Sequence, residues 1–175
     1  MTSLSIRLSR CLAAFVALMI ALGVFVVPTL AAPVELSPAR PSMRVDTPPG
    51  WVNTRIPRGL QTHTKDEELY VWLEVYSDGE LDAVLAEHSA YWKNEGIVIR
   101  GRNRDSEEKN GRTFSVTQID ALWNGEPTVL YYVDFDLKLP SGRKIVITYW
   151  ASPKADQEYA ARFEALMDSL TVTER

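Results

Sequence analysis

The sequence predicts an α+β domain in which a mainly antiparallel sheet carries two main helices. Three stretches carry that expectation. In Thr128 to Leu139 every odd position is apolar (Val129, Tyr131, Val133, Phe135, Leu137, Leu139), while the even positions pass from Leu130 and Tyr132 to Asp134, Asp136 and Lys138. Period-two alternation of this kind marks a half-buried strand. Pro140-Ser141-Gly142-Arg143 then supplies turn residues, Gly142 tolerating positive φ, before the β-branched run Ile145, Val146, Ile147, Thr148. The two segments form a hairpin. After it, Ser152-Pro153 opens a helix: serine caps the first turn, and proline at the first position gives up an amide that has no intrahelical partner. Tyr159, Phe163, Leu166, Met167 and Leu170 fall within an arc of about 100°, with Asp156, Glu158, Arg162, Glu164 and Asp168 off it. The helix is therefore expected to lay its apolar stripe on the odd-numbered face of the hairpin.

The remaining elements follow in chain order. Arg7 and Arg10 precede an uncharged run from Cys11 to Val27, followed by Pro28, Thr29, Leu30 and Ala31. Basic residues, an apolar stretch, a helix breaker and small residues in that order make a secretory signal, with cleavage expected after Ala31. The rival is an uncleaved anchor, because a run of about 17 residues reaches the lower limit for spanning a bilayer. A lipoprotein is disfavoured, since Cys11 precedes the apolar run instead of ending it. The expected organisation is residues 1–31 as signal peptide, 32–42 as a proline-rich linker and 43–175 as the folded domain.

Removing the leader takes Lys+Arg from 19 to 17 against an unchanged 23 Asp+Glu, and the formal charge from −4 to −6. A mildly acidic chain is a poor general binder of nucleic acid or anionic membrane. Membrane contact is expected only through an uncleaved leader. The sole cysteine, Cys11, lies in the leader, so the mature part has no disulfide, no thiol nucleophile and no cysteine metal site. Its stability must come from a packed core.

Pro33, Pro38, Pro41, Pro48 and Pro49, with few large apolar groups between them, predict a mobile linker that becomes ordered near Met43 to Val45. Pro49-Gly50-Trp51 is a turn delivering an aromatic, and Trp51-Val52 begins a short strand. After a polar stretch, Leu69 to Tyr76 alternates, with Leu69, Val71, Leu73 and Val75 on one side and Tyr70, Trp72, Glu74 and Tyr76 on the other. Ser77-Asp78-Gly79-Glu80 then precedes a helical stripe of Leu81, Val84, Leu85, His88, Tyr91 and Trp92, stopped by Gly96. Ile97 to Arg104 is expected as a strand, Asp105 to Gly111 as a charged loop and Arg112 to Trp123 as a strand. Asn124-Gly125 is a strong hairpin signal, because both residues tolerate the positive φ of a type I′ turn.

Taken together, Pro49-Gly50-Trp51, the central strands, the closing hairpin and Phe163-Glu164-Ala165-Leu166-Met167-Asp168-Ser169-Leu170 resemble the PsbP-like superfamily across most of Met43 to Arg175. That superfamily includes the extrinsic photosystem II protein, a Ran-binding nuclear import factor and the envelope protein DcrB. The resemblance implies an α/β/α sandwich that binds or helps assemble other proteins. It brings no shared catalytic residues, and no photosystem-specific or Ran-specific element is matched residue by residue.

Two turns fix two registers. Asn124-Gly125 as a two-residue loop sets Thr117 opposite Tyr132 and Ser115 opposite Asp134; Ser141-Gly142 sets Asp134 opposite Tyr149 and Asp136 opposite Ile147. Ser115, Thr117, Tyr132, Asp134, Asp136 and Tyr149 are then expected on one face, as a polar patch for a small ligand or a partner loop or as a plain sheet face that is solvated or partly covered by a helix. A one-residue slip would scatter the set. Asp134 and Asp136, two apart on a strand and about 7 Å from each other, also invite an acid and base reading, but no third positioned group accompanies them. No nucleophile elbow, phosphate loop or zinc-protease helix is present. Arg100, Arg102 and Arg104 alternate along one strand. They form either an anion or partner stripe or a charged margin that discourages edge pairing and meets Asp105, Glu107 and Glu108. His88 is expected to be half-buried with a hydrogen-bond partner, and no metal or cofactor is expected.

The reading is an exported, non-catalytic protein-binding or assembly factor whose partner is an envelope or membrane-complex protein. The alternatives are a small-ligand carrier or sensor, and after that an enzyme using Asp134 and Asp136.

Overall fold

The computed structural model describes residues 33–37, 41–109, 112–135 and 137–173. The expected leader and Asp136 lie outside them. The chain runs β1 (Pro33–Ser37), β2 (Ser42–Asp46), β3 (Val52–Ile56), β4 (Gly59–His63), β5 (Leu69–Ser77), α1 (Leu81–Asn94), β6 (Ile97–Lys109), β7 (Arg112–Trp123), β8 (Glu126–Phe135), β9 (Arg143–Ala151), α2 (Pro153–Asp168) and β10 (Thr171–Thr173). Seven strands form one antiparallel sheet in the order β3-β4-β5-β9-β8-β7-β6, and β1-β2-β10 form a second, smaller one. Helix α1 carries the chain from β5 to the far edge strand β6, and the β6–β9 meander returns to pair with β5. Among the described residues no helix is long and apolar enough to cross a membrane.

Each face of the large sheet has its own core. On one side, Val71, Leu73, Val133, Ile145, Ile147 and Tyr149 pack with Phe163, Leu166 and Leu170 and with Met43 and Val45 of the small sheet. The apolar stripe of α2 thus covers the odd-numbered face of the hairpin, as its spacing requires. On the other side, Val84 and Trp92 of α1 meet Ile97, Ile119, Leu130, Tyr132, Val146 and Trp150.

The termini of the elements have local causes. Ser152 Oγ accepts from Ala155 N at 3.1 Å and Pro153 begins α2. Ser152→Ala is expected to lower stability by about 0.5–2 kcal/mol in chemical denaturation, because that amide loses its cap. Gly96, at φ +78, follows the end of α1. Trp51 N donates to Pro48 O at 3.2 Å across the Pro49-Gly50 turn, and the Trp51 ring meets Tyr159 of α2 edge-on at 6.1 Å.

Three expectations need correction, and one stretch with no element assigned to it from sequence forms a hairpin. Pro33–Ser37, expected as linker, is the strand β1: Leu36 is buried, and Pro33 opens an edge strand, where a missing donor is tolerated. The polar stretch after Trp51 is the β3–β4 hairpin, set so tightly against β5 that a Cβ on Gly59 would fall 2.0 Å from Leu73 O. Asp105–Lys109, expected as loop, continues β6, because β7 pairs with it as far as Lys109↔Arg112. The β8–β9 register differs by three residues: Asp134 lies opposite Val146, and Tyr149 lies opposite Tyr131. The turn is closed by Gly142 N donating to Leu139 O, but β8 ends earlier, at Phe135, so a longer loop joins the strands.

Candidate functional site

The face beneath α1 is built in rows across the sheet. One row is Glu74, Val146, Asp134 and Ser115; the next is Trp72, Thr148, Tyr132, Thr117 and Arg104; a third is Tyr70, Trp150, Leu130, Ile119 and Arg102. The alternation in β5 explains its share: the even residues Tyr70, Trp72, Glu74 and Tyr76 all turn toward α1.

At the centre of this face Glu74 is only 4 % exposed. Arg58 Nε and Nη2 each approach Glu74 Oε1 at 3.0 Å, and Arg58 Nη2 also reaches Glu87 Oε2 of α1 at 2.6 Å. His88 Nε2 lies 2.5 Å from Glu74 Oε2, while His88 Nδ1 and Thr148 Oγ1 are 3.2 Å apart. His88 is therefore the half-buried, partnered histidine its place in the stripe called for. Its ring stacks on Tyr132 at 5.9 Å, and Tyr132 stacks on Trp92 at 5.2 Å. Among the described residues the buried Tyr132 hydroxyl finds no hydrogen-bond partner. Burial pushes that phenol's pKa well above its ordinary value, against the opposing pull of Arg102.

Toward the β6–β7 hairpin the face becomes exposed and charged. Tyr76 Oη donates to Asp134 Oδ1 at 2.5 Å; Arg104 Nη2 donates to Ser115 Oγ at 2.9 Å and stands 4.0 Å from Asp134 Oδ2. The long Arg104–Asp134 contact contributes little to stability, because the Arg104 side chain is 64 % exposed and screened by water. Asp134 is thus oriented by a tyrosine and lies within reach of an arginine.

The structure brings Ser115, Thr117, Tyr132 and Asp134 onto one face as expected, and adds Arg102 and Arg104 to it. Arg100 is the unpaired residue of a bulge between Ile99 and Gly101, so it falls out of the arginine alternation. Tyr149 is on the opposite face. The three-residue difference in register is odd, and an odd shift reverses sides. There Tyr149 is fully buried, stacks on Tyr131 at 4.4 Å with planes 6° apart, and donates to Asp156 Oδ1 of α2 at 3.0 Å. Burial raises the Asp156 pKa, and the Tyr149 hydrogen bond opposes that rise. Among the described residues no group of three or more His, Cys, Asp or Glu is arranged to hold a metal ion. The Glu74–Arg58–His88 cluster was not assembled from sequence. Its signal was a lone glutamate in the aromatic half of β5 and a lone histidine in the facing helical stripe.

No protein-family model and no curated protein sequence matches this chain. In three dimensions it is similar to cyanobacterial PsbP (CyanoP) from Synechocystis sp. PCC 6803, at TM-score 0.55 and 9 % identity, covering 87 % of this chain and 99 % of that one. The fold is PsbP-like. It is also similar to LpqN, a protein involved in cell envelope biogenesis of Mycobacterium tuberculosis, at TM-score 0.51 and 13 % identity, covering 81 % of this chain and 90 % of that one. At such identities the likeness concerns the PsbP-like backbone, and the site must be argued from this chain's own residues.

Proposed function

We propose that this protein is an exported, non-catalytic binding or assembly factor that engages an envelope or membrane-complex protein through the α1-side face of its sheet. The observation that carries the reading is the uncovered end of that face. Helix α1 covers the sheet over Ile119, Leu130 and Tyr132, while the hairpin beyond leaves Arg102 and Arg104 exposed beside half-buried Ser115, Thr117 and Asp134. These polar groups sit on paired strands and are preorganised for a complementary surface. The leader sequence supports export, and LpqN offers a PsbP-like protein that works in envelope biogenesis. Asp134 accepts a hydrogen bond from Tyr76, and Glu74 accepts one from Arg58 with His88 beside its second oxygen, so each carboxylate has a structural role.

Reversing Arg102 to Glu tests the reading. In affinity purification from the native envelope, the variant is expected to retain its thermal midpoint, because Arg102 is exposed, and to lose partner affinity by at least about tenfold. Undiminished recovery of the partner by Arg102→Glu, Arg104→Glu and the double variant would remove this face from the interaction.

A further inference from the structure

The opposite end of the same face, about 20 Å along β7 from Thr117, holds a cleft of about 420 Å³ with aromatic walls. Tyr70 and Trp150 stack there at 5.7 Å with planes 25° apart, and Trp123 meets Trp150 edge-on at 5.3 Å. Both indoles are held in place: Trp123 Nε1 donates to Glu95 O at 3.1 Å, and Trp150 Nε1 donates to Thr128 Oγ1 at 2.9 Å. Even so, Trp123 and the neighbouring Tyr91 are each 44 % exposed. Rigid aromatic rings left in water are characteristic of recognition surfaces.

The rim gives the cleft its charge. Asp66, Glu67, Glu68 and Glu95 are four acidic residues of its lining, and among the described residues no lysine or arginine lines it. Lys154 acts on Asp66 from outside the lining. The phenols of Tyr70 and Tyr91 have raised pKa values through burial, with Glu67 acting in the same sense on Tyr70 and Glu95 on both rings, which fits a negative interior. The carboxylates do not form a metal-ligand set. Their residues line an aromatic-walled space, which suits an extended organic cation better than a metal ion.

We infer that this cleft receives an arginine side chain from a basic segment of the partner, an inference that rests on the binding function proposed above. A guanidinium matches both features of the site. Its plane stacks on indole and phenol rings, and its fork of donors pairs with carboxylates. A lysine ammonium satisfies only the charge.

The test uses the purified protein and a capped pentapeptide carrying two arginines. Its controls are the same peptide with lysine and with citrulline, which keeps the shape of arginine and loses the charge. Binding is read by tryptophan fluorescence and by the indole N–H resonances in low salt. The arginine peptide is expected to shift the Trp123 indole signal and to bind at least about tenfold more tightly than the citrulline peptide, with lysine between them. Glu67→Gln combined with Glu95→Gln should weaken arginine binding by a similar factor and flatten its salt dependence. Equal binding of the citrulline peptide, shifts that spare Trp123, tighter binding of tetramethylammonium than of the arginine peptide, or no binding at millimolar peptide would each overturn the inference. Recovery of the native partner separates this result from the parent reading. If Arg102→Glu loses the partner and the double glutamine variant keeps it, the cleft is excluded and the binding function stands; if no partner is recovered even by the wild type, both fall.

Discussion

Replacing Phe163 by alanine is expected to lower the unfolding free energy by about 3–5 kcal/mol, read as a shift in the denaturation midpoint. Phe163 is 4 % exposed, and its ring lies 4.6 Å from Tyr149 and 6.0 Å from Tyr131. Those two tyrosines are stacked on each other, and Tyr149 is tethered to Asp156, so neither ring can swing into the space left behind. The cavity would persist, and a persistent cavity adds to the lost transfer free energy. A loss below about 1 kcal/mol would place Phe163 outside the core.

The second large effect lies on the other side of the sheet. Glu74→Ala is expected to cost about 3 kcal/mol, at the low end of the range for removing one partner from a buried ion pair. His88, only 13 % exposed in its side chain, would lose the carboxylate beside Nε2. Arg58, whose side chain is 32 % exposed and which keeps Glu87, would turn to solvent, which limits the penalty. Glu74→Gln should cost less, since the amide retains an oxygen for Arg58. Chemical denaturation of both variants checks the ordering. If Glu74→Ala cost under about 1 kcal/mol, the cluster would be incidental to stability.

How much of this was legible in the sequence depended on whether a strand had one polar side. In β8, alternation separates Val129, Tyr131, Val133 and Phe135 from Asp134, and Asn124-Gly125, at φ +52 and +86, fixes the turn. Ser115↔Asp134 and Thr117↔Tyr132 follow directly. In β9 every residue from Ile145 to Ala151 is buried, because the strand lies at the sheet centre with a core on each face. Its sequence therefore holds no alternation from which to read a side, and a turn judged by its residues alone placed Tyr149 wrongly. In β6 the bulge at Arg100 breaks the parity that an unbroken strand would keep. The acidic, aromatic cleft draws on the loop before β5, the end of α1 and the ends of β7 and β9. Segments so far apart in sequence are joined only by the tertiary pairing of the sheet.

The most direct test of the binding function is to purify the C-terminally tagged full-length protein from its native envelope and read intact mass and solution size on the eluate. The account predicts a chain beginning near Ala32 in stoichiometric complex with an envelope protein. A processed chain recovered only as a monomer, under conditions that preserve other envelope complexes, would contradict it.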